Sequence, residues 1–247
     1  MARVFSVVNQ KGGVGKTTTA INLSAALAIA GHRTLVVDMD PQCNATGALG
    51  ADTAARHAIV SDGDLGGQIA QCATRNLSIL PGSRSFEDVV RLDADADQSA
   101  RVRGNLETID ADYDYILIDC PPSVGALTQT AMVASTDVLI PIQCEYFAME
   151  GLTQLITTVK QVIDRTQGRL AFGGILLTMY DPTLELTGEV DAEVRDFFGD
   201  IVFDSVVPRD VALCESPSHG QTVFEYAPRS RGAFAHTRLC MEVLERD

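Results

Sequence analysis

The chain has 247 residues, 46% of them hydrophobic in type and 21% charged, an ordinary globular balance that excludes a wholly disordered or fibrous protein. Lysines and arginines number 19 against 33 aspartates and glutamates, a formal charge of -14, so nucleic acid can be held only by a local basic patch. No apolar run approaches the roughly 20 residues of a membrane-spanning helix and no leader-like segment opens the chain, so a cytoplasmic protein is expected.

Arg3 to Val8, RVFSVV, predicts a short buried strand running into a glycine-rich loop, and Thr17 to Ala30 reads as an Ala- and Leu-rich helix stopped by Gly31. Thr34 to Val37 predicts a second strand that ends on Asp38 and Asp40. From Asn44 to Asp110 the chain is acidic and less regular, apart from LSIL at Leu77 to Leu80. Further strands are expected at Tyr115 to Ile118, Asp137 to Ile140, Leu170 to Leu177 and Ile201 to Val207. The helices between them include Met149 to Arg165 and Glu189 to Phe198. This alternation predicts βαβ units and an α/β fold: a single doubly wound, mainly parallel sheet with helices on both faces. One P-loop domain over residues 1–247 is expected, with no separate N-terminal DNA-binding domain ahead of a strand that begins at Arg3.

The loop itself is Lys11-Gly12-Gly13-Val14-Gly15-Lys16-Thr17, with Gln10 where the common GxxxxGK[ST] pattern has glycine. Three glycines let backbone N–H groups turn inward around phosphate oxygens, and the helix that follows adds its dipole. Lys16 is expected to serve the β- and γ-phosphates of ATP, Thr17 to ligate Mg²⁺, and Thr18 to donate to the α-phosphate. Lys11 cannot easily share those phosphates from its own loop, so it is expected to reach across a dimer interface. Asp119 closes the strand YILID beside the loop, the place for a carboxylate that holds Mg²⁺ through water. Of the two acids after the second strand, Asp40 is assigned to orient the attacking water. For Asp38, a phosphate-facing role and a loop-anchoring role both stand open. The six cysteines are scattered, with no CxxC and no Cys/His cluster, so they read as reduced and mostly buried.

The stretches VNQKGGVGKTTTAINL, VVDMDPQCNAT, YDYILIDCPPS, LIPIQCEYFAMEGL, LLTMYD and VPRDVALCESPSHGQTVFEYAPRSRGA together resemble the ParA/Soj family of partitioning ATPases, with the deviant phosphate loop that MinD shares. The resemblance implies an ATP-sandwich homodimer in which Lys11 contacts the partner's phosphates, and slow hydrolysis that a ParB-like protein stimulates. It places the adenine pocket at Pro208, Arg209 and Asp210 with Met179 nearby, although Asp210 stands where asparagine is common. It puts Gln143 to Gly151 near the dimer interface. It also implies nonspecific DNA binding by the ATP dimer, and with it association with the nucleoid. Ala212 and Gln221 stand where relatives often carry arginine and lysine, so the remaining DNA-binding candidates are Arg195, Arg229, Arg231 and Arg238. That depletion keeps open a positioning ATPase for a protein cargo: a chemoreceptor cluster, a microcompartment or division machinery. A metal-cluster reductase, with Cys120 beside Asp119, is a third reading from a different class. The short C-terminal LCMEVLERD is not a basic amphipathic helix, so membrane binding is not expected.

Overall fold

The computed structural model describes residues 1–60, 65–85, 96–145 and 148–246. Parts of the acidic stretch, 61–64 and 86–95, and Tyr146 and Phe147 within Gln143 to Gly151, lie outside the described residues. The N-terminal half runs β1 (Arg3–Val7), α1 (Lys16–Ile29), β2 (Thr34–Asp38), α2 (Asn44–Ala48), β3 (Ala70–Gln71), β4 (Leu77–Leu80), α3 (Ala96–Glu107) and β5 (Tyr115–Asp119). The C-terminal half runs α4 (Ala126–Ala134), β6 (Asp137–Gln143), α5 (Ala148–Arg165), β7 (Ala171–Tyr180), α6 (Glu185–Phe198), β8 (Val202–Pro208), α7 (Val211–Glu215), α8 (Val223–Tyr226) and α9 (Arg231–Glu245).

One sheet of order β3-β4-β2-β5-β1-β6-β7-β8 carries these elements, parallel throughout except for the antiparallel pairing of the two-residue β3 with β4. A parallel sheet needs both faces covered, and the strands are accordingly apolar on both sides. Val4, Ile116, Ile118, Val138 and Ile140 face a core shared with α3, α4 and α5. Phe5, Val7, Leu117, Leu139 and Phe203 face the opposite core, filled by Leu23 and Leu27 of α1 and Leu239 of α9. The strand order reverses at β1, which lies between β5 and β6, so the crevice beyond its carboxyl end is where such a sheet takes a ligand.

The strand expected to end at Leu177 continues to Tyr180, and the helix expected from Glu189 begins at Glu185. The less regular stretch holds α2, β3 and α3, which the sequence pattern did not mark.

Two positions allow direct tests of the packing. Gly174 sits at φ +152°, and a Cβ there would lie 2.2 Å from the Phe203 ring. Gly174→Ala is therefore expected to cost about 3 kcal/mol through overpacking and backbone strain, lowering Tm by roughly 6–12 °C in a calorimetric scan. His236 of α9 is fully buried; its Nδ1 donates to the Gly232 carbonyl at 2.9 Å, and its Nε2 has no partner among the described residues. Burial lowers its pKa from 6.5 to about 4. A depressed folded-state value means that the associated stability is present above pH 6.5 and is lost as pH falls toward 4, on the order of 3 kcal/mol in all. His57 shifts the same way and Asp38 the opposite way, so the test is a difference. The urea midpoint of His236→Leu should fall less steeply than that of the parent between pH 6.5 and 4.5.

Candidate nucleotide-binding site

The loop after β1 is braced by β6 and β7. Asn9 Nδ2 donates to the Pro141 carbonyl of β6 at 2.7 Å, and Asn9 Oδ1 accepts from the Lys11 amide at 2.9 Å. Thr178 of β7 holds its hydroxyl 2.8 Å from the Val14 carbonyl and 2.9 Å from that of Ile142. Gly15, at φ +89°, turns the chain into α1, a conformation that an L side chain rarely adopts. The amides of Gly13 and Gly15 find no acceptor among the described residues. The result is a fixed ring of free donors at a helix N-terminus, with the chemistry of an anion cradle. Neither Asn9 nor Thr178 stood out in the sequence: Thr178 is more than 160 residues from the loop that it braces.

Lys16 is buried, and its Nζ reaches back to the Lys11 carbonyl at 3.1 Å. Burial lowers its pKa, opposed by the nearby charges of Asp119 and Asp40. Thr17 Oγ1 donates to Asp119 Oδ2 at 2.7 Å, while Asp119 Oδ1 is buried without a partner among the described residues. Burial pushes the Asp119 carboxyl well above its ordinary range, and the neighbouring Asp38 charge adds to the shift. An orphaned carboxylate oxygen beside a hydroxyl, in a pocket crowded with acids, is an all-oxygen donor set that fits Mg²⁺.

The two acids after β2 do different work. Asp38 is fully buried: Oδ2 accepts from the Thr46 amide at 2.8 Å and its hydroxyl at 2.6 Å, and Oδ1 accepts from the Asp40 amide at 3.2 Å. Thr46 Oγ1 accepts in turn from the Gly82 amide, and His57 Nε2 lies 3.0 Å from the Asp38 carbonyl. Asp38 thus ties α2 and the β4 exit to β2, and burial raises its pKa to about 6. Asp40 accepts from the Gln42 amide through Oδ1 at 2.9 Å; its other oxygen takes no donor among the described residues.

Gly15, Thr18, Thr178, Met179, Pro208 and Asp210 surround a cavity of about 250 Å³ beside the loop, with Arg209 at its edge. Met179 holds φ +51°, a strained conformation for its side chain, at a bulge between β7 and β8. The Asp210 carboxylate takes one backbone amide on each oxygen: Oδ1 caps α7 at the Ala212 amide, 3.1 Å, and Oδ2 accepts from the Gly232 amide at 2.7 Å. Its role in this structure is to join α7 to α9.

The remaining cations divide. Lys11 pairs with Glu145, each side chain about half exposed. Arg195 is held by Asp191 at 2.6 Å and Asp204 at 3.5 Å. Arg229, Arg231 and Arg238 are exposed, and Arg231 donates to the Arg209 carbonyl at 3.0 Å. Arg231 and Arg238 stand two turns apart on α9, on the same face as the exposed Phe234. Among the described residues no helix is long and apolar enough to cross a membrane, and no group of three or more His, Cys, Asp or Glu side chains is placed to hold a metal ion.

A family model described as an AAA domain matches residues 2–172. The sporulation initiation inhibitor protein Soj of Bacillus subtilis is 43% identical over 249 residues, covering 98% of each chain. The chromosome partitioning protein ParA of Caulobacter vibrioides is also 43% identical, covering 99% of this chain and 95% of its own. Among solved structures, cobyrinic acid a,c-diamide synthase of Mycobacterium smegmatis, with an ATP analog and magnesium bound, aligns at a TM-score of 0.84 and 30% identity over 100% of this chain and 96% of that one. Likeness at this level along the whole length, on a sheet whose carboxyl edge gathers Lys16, Thr17, Asp40 and Asp119, makes the chain a member of the ParA/Soj family of chromosome-partitioning ATPases.

Proposed function

We propose that the protein is an ATP-driven switch: it dimerises around ATP, holds nonspecific DNA as the dimer, and returns to monomers through slow hydrolysis that a ParB-like partner accelerates. The observation that carries this reading is the buried Lys16 under a loop of free amides, with the Thr17–Asp119 pair beside it. Gly12, Gly13, Val14 and Gly15 enclose the phosphates, Lys16 neutralises the β- and γ-oxygens, and Thr18 serves the α-phosphate. Thr17 and Asp119 hold Mg²⁺, Asp119 through water; the ion supplies charge neutralisation at the phosphates when bound. Asp40 uses its free oxygen to orient the attacking water, a task of positioning more than of bond making. The base lies against Met179 and Pro208. Asp210 lines this pocket, and each of its oxygens, which accepts one backbone amide, keeps acceptor capacity for the base.

Lys11 faces the partner's phosphates. Its pairing with Glu145 is between exposed groups, and such pairs contribute about 0–1 kcal/mol, so a phosphate from a second protomer displaces Glu145 at little cost. Lys11→Ala should then bind ATP within a few-fold of the parent yet elute as a monomer in size-exclusion chromatography with ATP and Mg²⁺. A dimer of unchanged stability would remove Lys11 from this role.

DNA would be held by Arg229, Arg231 and Arg238, presented twice by the dimer, which places the protein in the cytoplasm on the nucleoid. So few phosphate contacts imply weak binding that falls steeply with salt. The test is retention of a duplex by the ATP-bound protein at low salt, with and without Arg231→Ala; no retention of any duplex overturns the DNA reading. Arg195, tied to two carboxylates, together with Ala212 and Gln221, favours the second reading, in which the same switch positions a protein cargo.

A further inference from the structure

On a chain of net charge -14, three of the arginines converge on one cavity far from the phosphate loop. Arg103 of α3, Arg165 at the end of α5 and Arg169 in the turn before β7 line a concavity of about 770 Å³, with Ser99, Gln129 and Thr166 between them. Arg169 leads into β7 and the nearby Val133 lies just before β6, so the cavity is at the amino edge of a parallel sheet whose carboxyl edge holds the nucleotide site. Its volume is in the usual range for a small-molecule pocket, a few hundred to a thousand Å³.

The guanidinium groups are held in place by few contacts among the described residues and are under-neutralised. Arg165 Nη1 donates to Gln129 Oε1 at 3.3 Å, and Arg169 Nη2 donates to the Val133 carbonyl. Both thereby rest on α4, Arg165 at its middle and Arg169 at its last turn, with donors left over. Arg103 Nε is buried and makes no hydrogen bond among the described residues, its ion-pair contact with Glu107 being too long for one. Among the described residues Glu107 is the one acid within ion-pair range, 3.5 Å from Arg103 and 3.9 Å from Arg169. Three positive charges against one negative among the described residues leave a surplus of two. Arg169 feels this: its pKa is lowered by partial burial and then by the Arg103 charge. Like charges gathered in a concavity, with forks already oriented, are costly unless an anion completes the set, and planar forked donors match phosphate oxygens.

We infer that Arg103, Arg165 and Arg169 form a second anion site that takes a phosphate monoester dianion, separate from the nucleotide site. The two charges of a monoester match the surplus, and a concavity of this volume fits a small phosphorylated molecule. Its source is a free phosphorylated metabolite or a lipid headgroup of the same chemistry, which the experiment separates.

The full-length protein, with ADP and Mg²⁺ in excess, is titrated with inorganic phosphate while its backbone and arginine Nε–H resonances are followed. The expected result is saturable shifts at Arg103 and at Thr166 to Arg169, together with at least a tenfold weaker phosphate affinity in the double variant Arg103→Gln/Arg165→Gln at less than a twofold change in ATP turnover. The double variant to lysine, which keeps charge but loses the fork, should fall between. Vesicles containing phosphatidic acid that bind the parent and not the glutamine variant identify a lipid source, and failure to bind them leaves the free metabolite. Shifts at residues 12–18 in place of the arginines, unchanged affinity in the glutamine variant, or no saturable phosphate binding would each overturn the proposal. So would a variant that loses duplex DNA and keeps phosphate, since the cluster would then be a nucleic-acid contact.

Discussion

Replacing Lys16 by alanine will cost the protein its nucleotide: ATP affinity should fall on the order of 10²- to 10³-fold, the usual loss when one partner of a buried, hydrogen-bonded charge pair is truncated. The buried Nζ lies within a ring of free amides, where the low local dielectric strengthens its attraction for phosphate. Its charge also acts on Asp119 and Asp40, so its loss leaves the acids less compensated and adds repulsion against an incoming triphosphate. A fluorescent ATP analogue titrated into Lys16→Ala checks this, and added ATP should no longer raise Tm. Affinity within three-fold of the parent would show that the amide ring alone suffices.

Asp40→Ala separates binding from hydrolysis. Asp40 caps the turn at Gln42 through one oxygen and keeps the other free, so its removal leaves the phosphate ring intact. ATP should bind within a few-fold of the parent, turnover should drop by about 10²- to 10³-fold, and the protein should accumulate as a dimer on size exclusion with ATP. Hydrolysis at the parental rate would sink the assignment. Asp38→Asn makes an instructive contrast: an amide cannot accept all three hydrogen bonds from Thr46 and Asp40, so its damage should appear first in stability. Repeating the Asp40→Ala elution with duplex DNA reads the switch and its output together.

The strand and helix pattern was legible from Arg3 to Val37 and from Tyr115 to Val207 because buried parallel strands are unbroken apolar runs and the helices between them are long. Between Asn44 and Asp110 it was not, except for LSIL, which is β4. The five-residue α2 and two-residue β3 are too short for any period to register, and α2 is held by the buried carboxylate of Asp38 rather than by its own propensity. Asp38 and Asp40 look alike in VDMDPQ. Only the fold, by folding Thr46 over one of them, makes Asp38 an anchor and leaves Asp40 an open oxygen.

The sequence by itself determined the phosphate loop, because a glycine ring with Lys16 and Thr17 is local chemistry carried in seven consecutive residues, and it determined the parallel sheet that puts Asp119 beside that loop. The tertiary structure alone decided which charges are free. Glu145 meets Lys11 across 134 residues, Asp204 of β8 reaches Arg195 of α6, Gly232 claims Asp210, and three arginines from α3, α5 and the turn before β7 meet at one cavity. Such pairings follow from Coulomb contacts between segments distant along the chain, whose distances exist only once the sheet has brought them together.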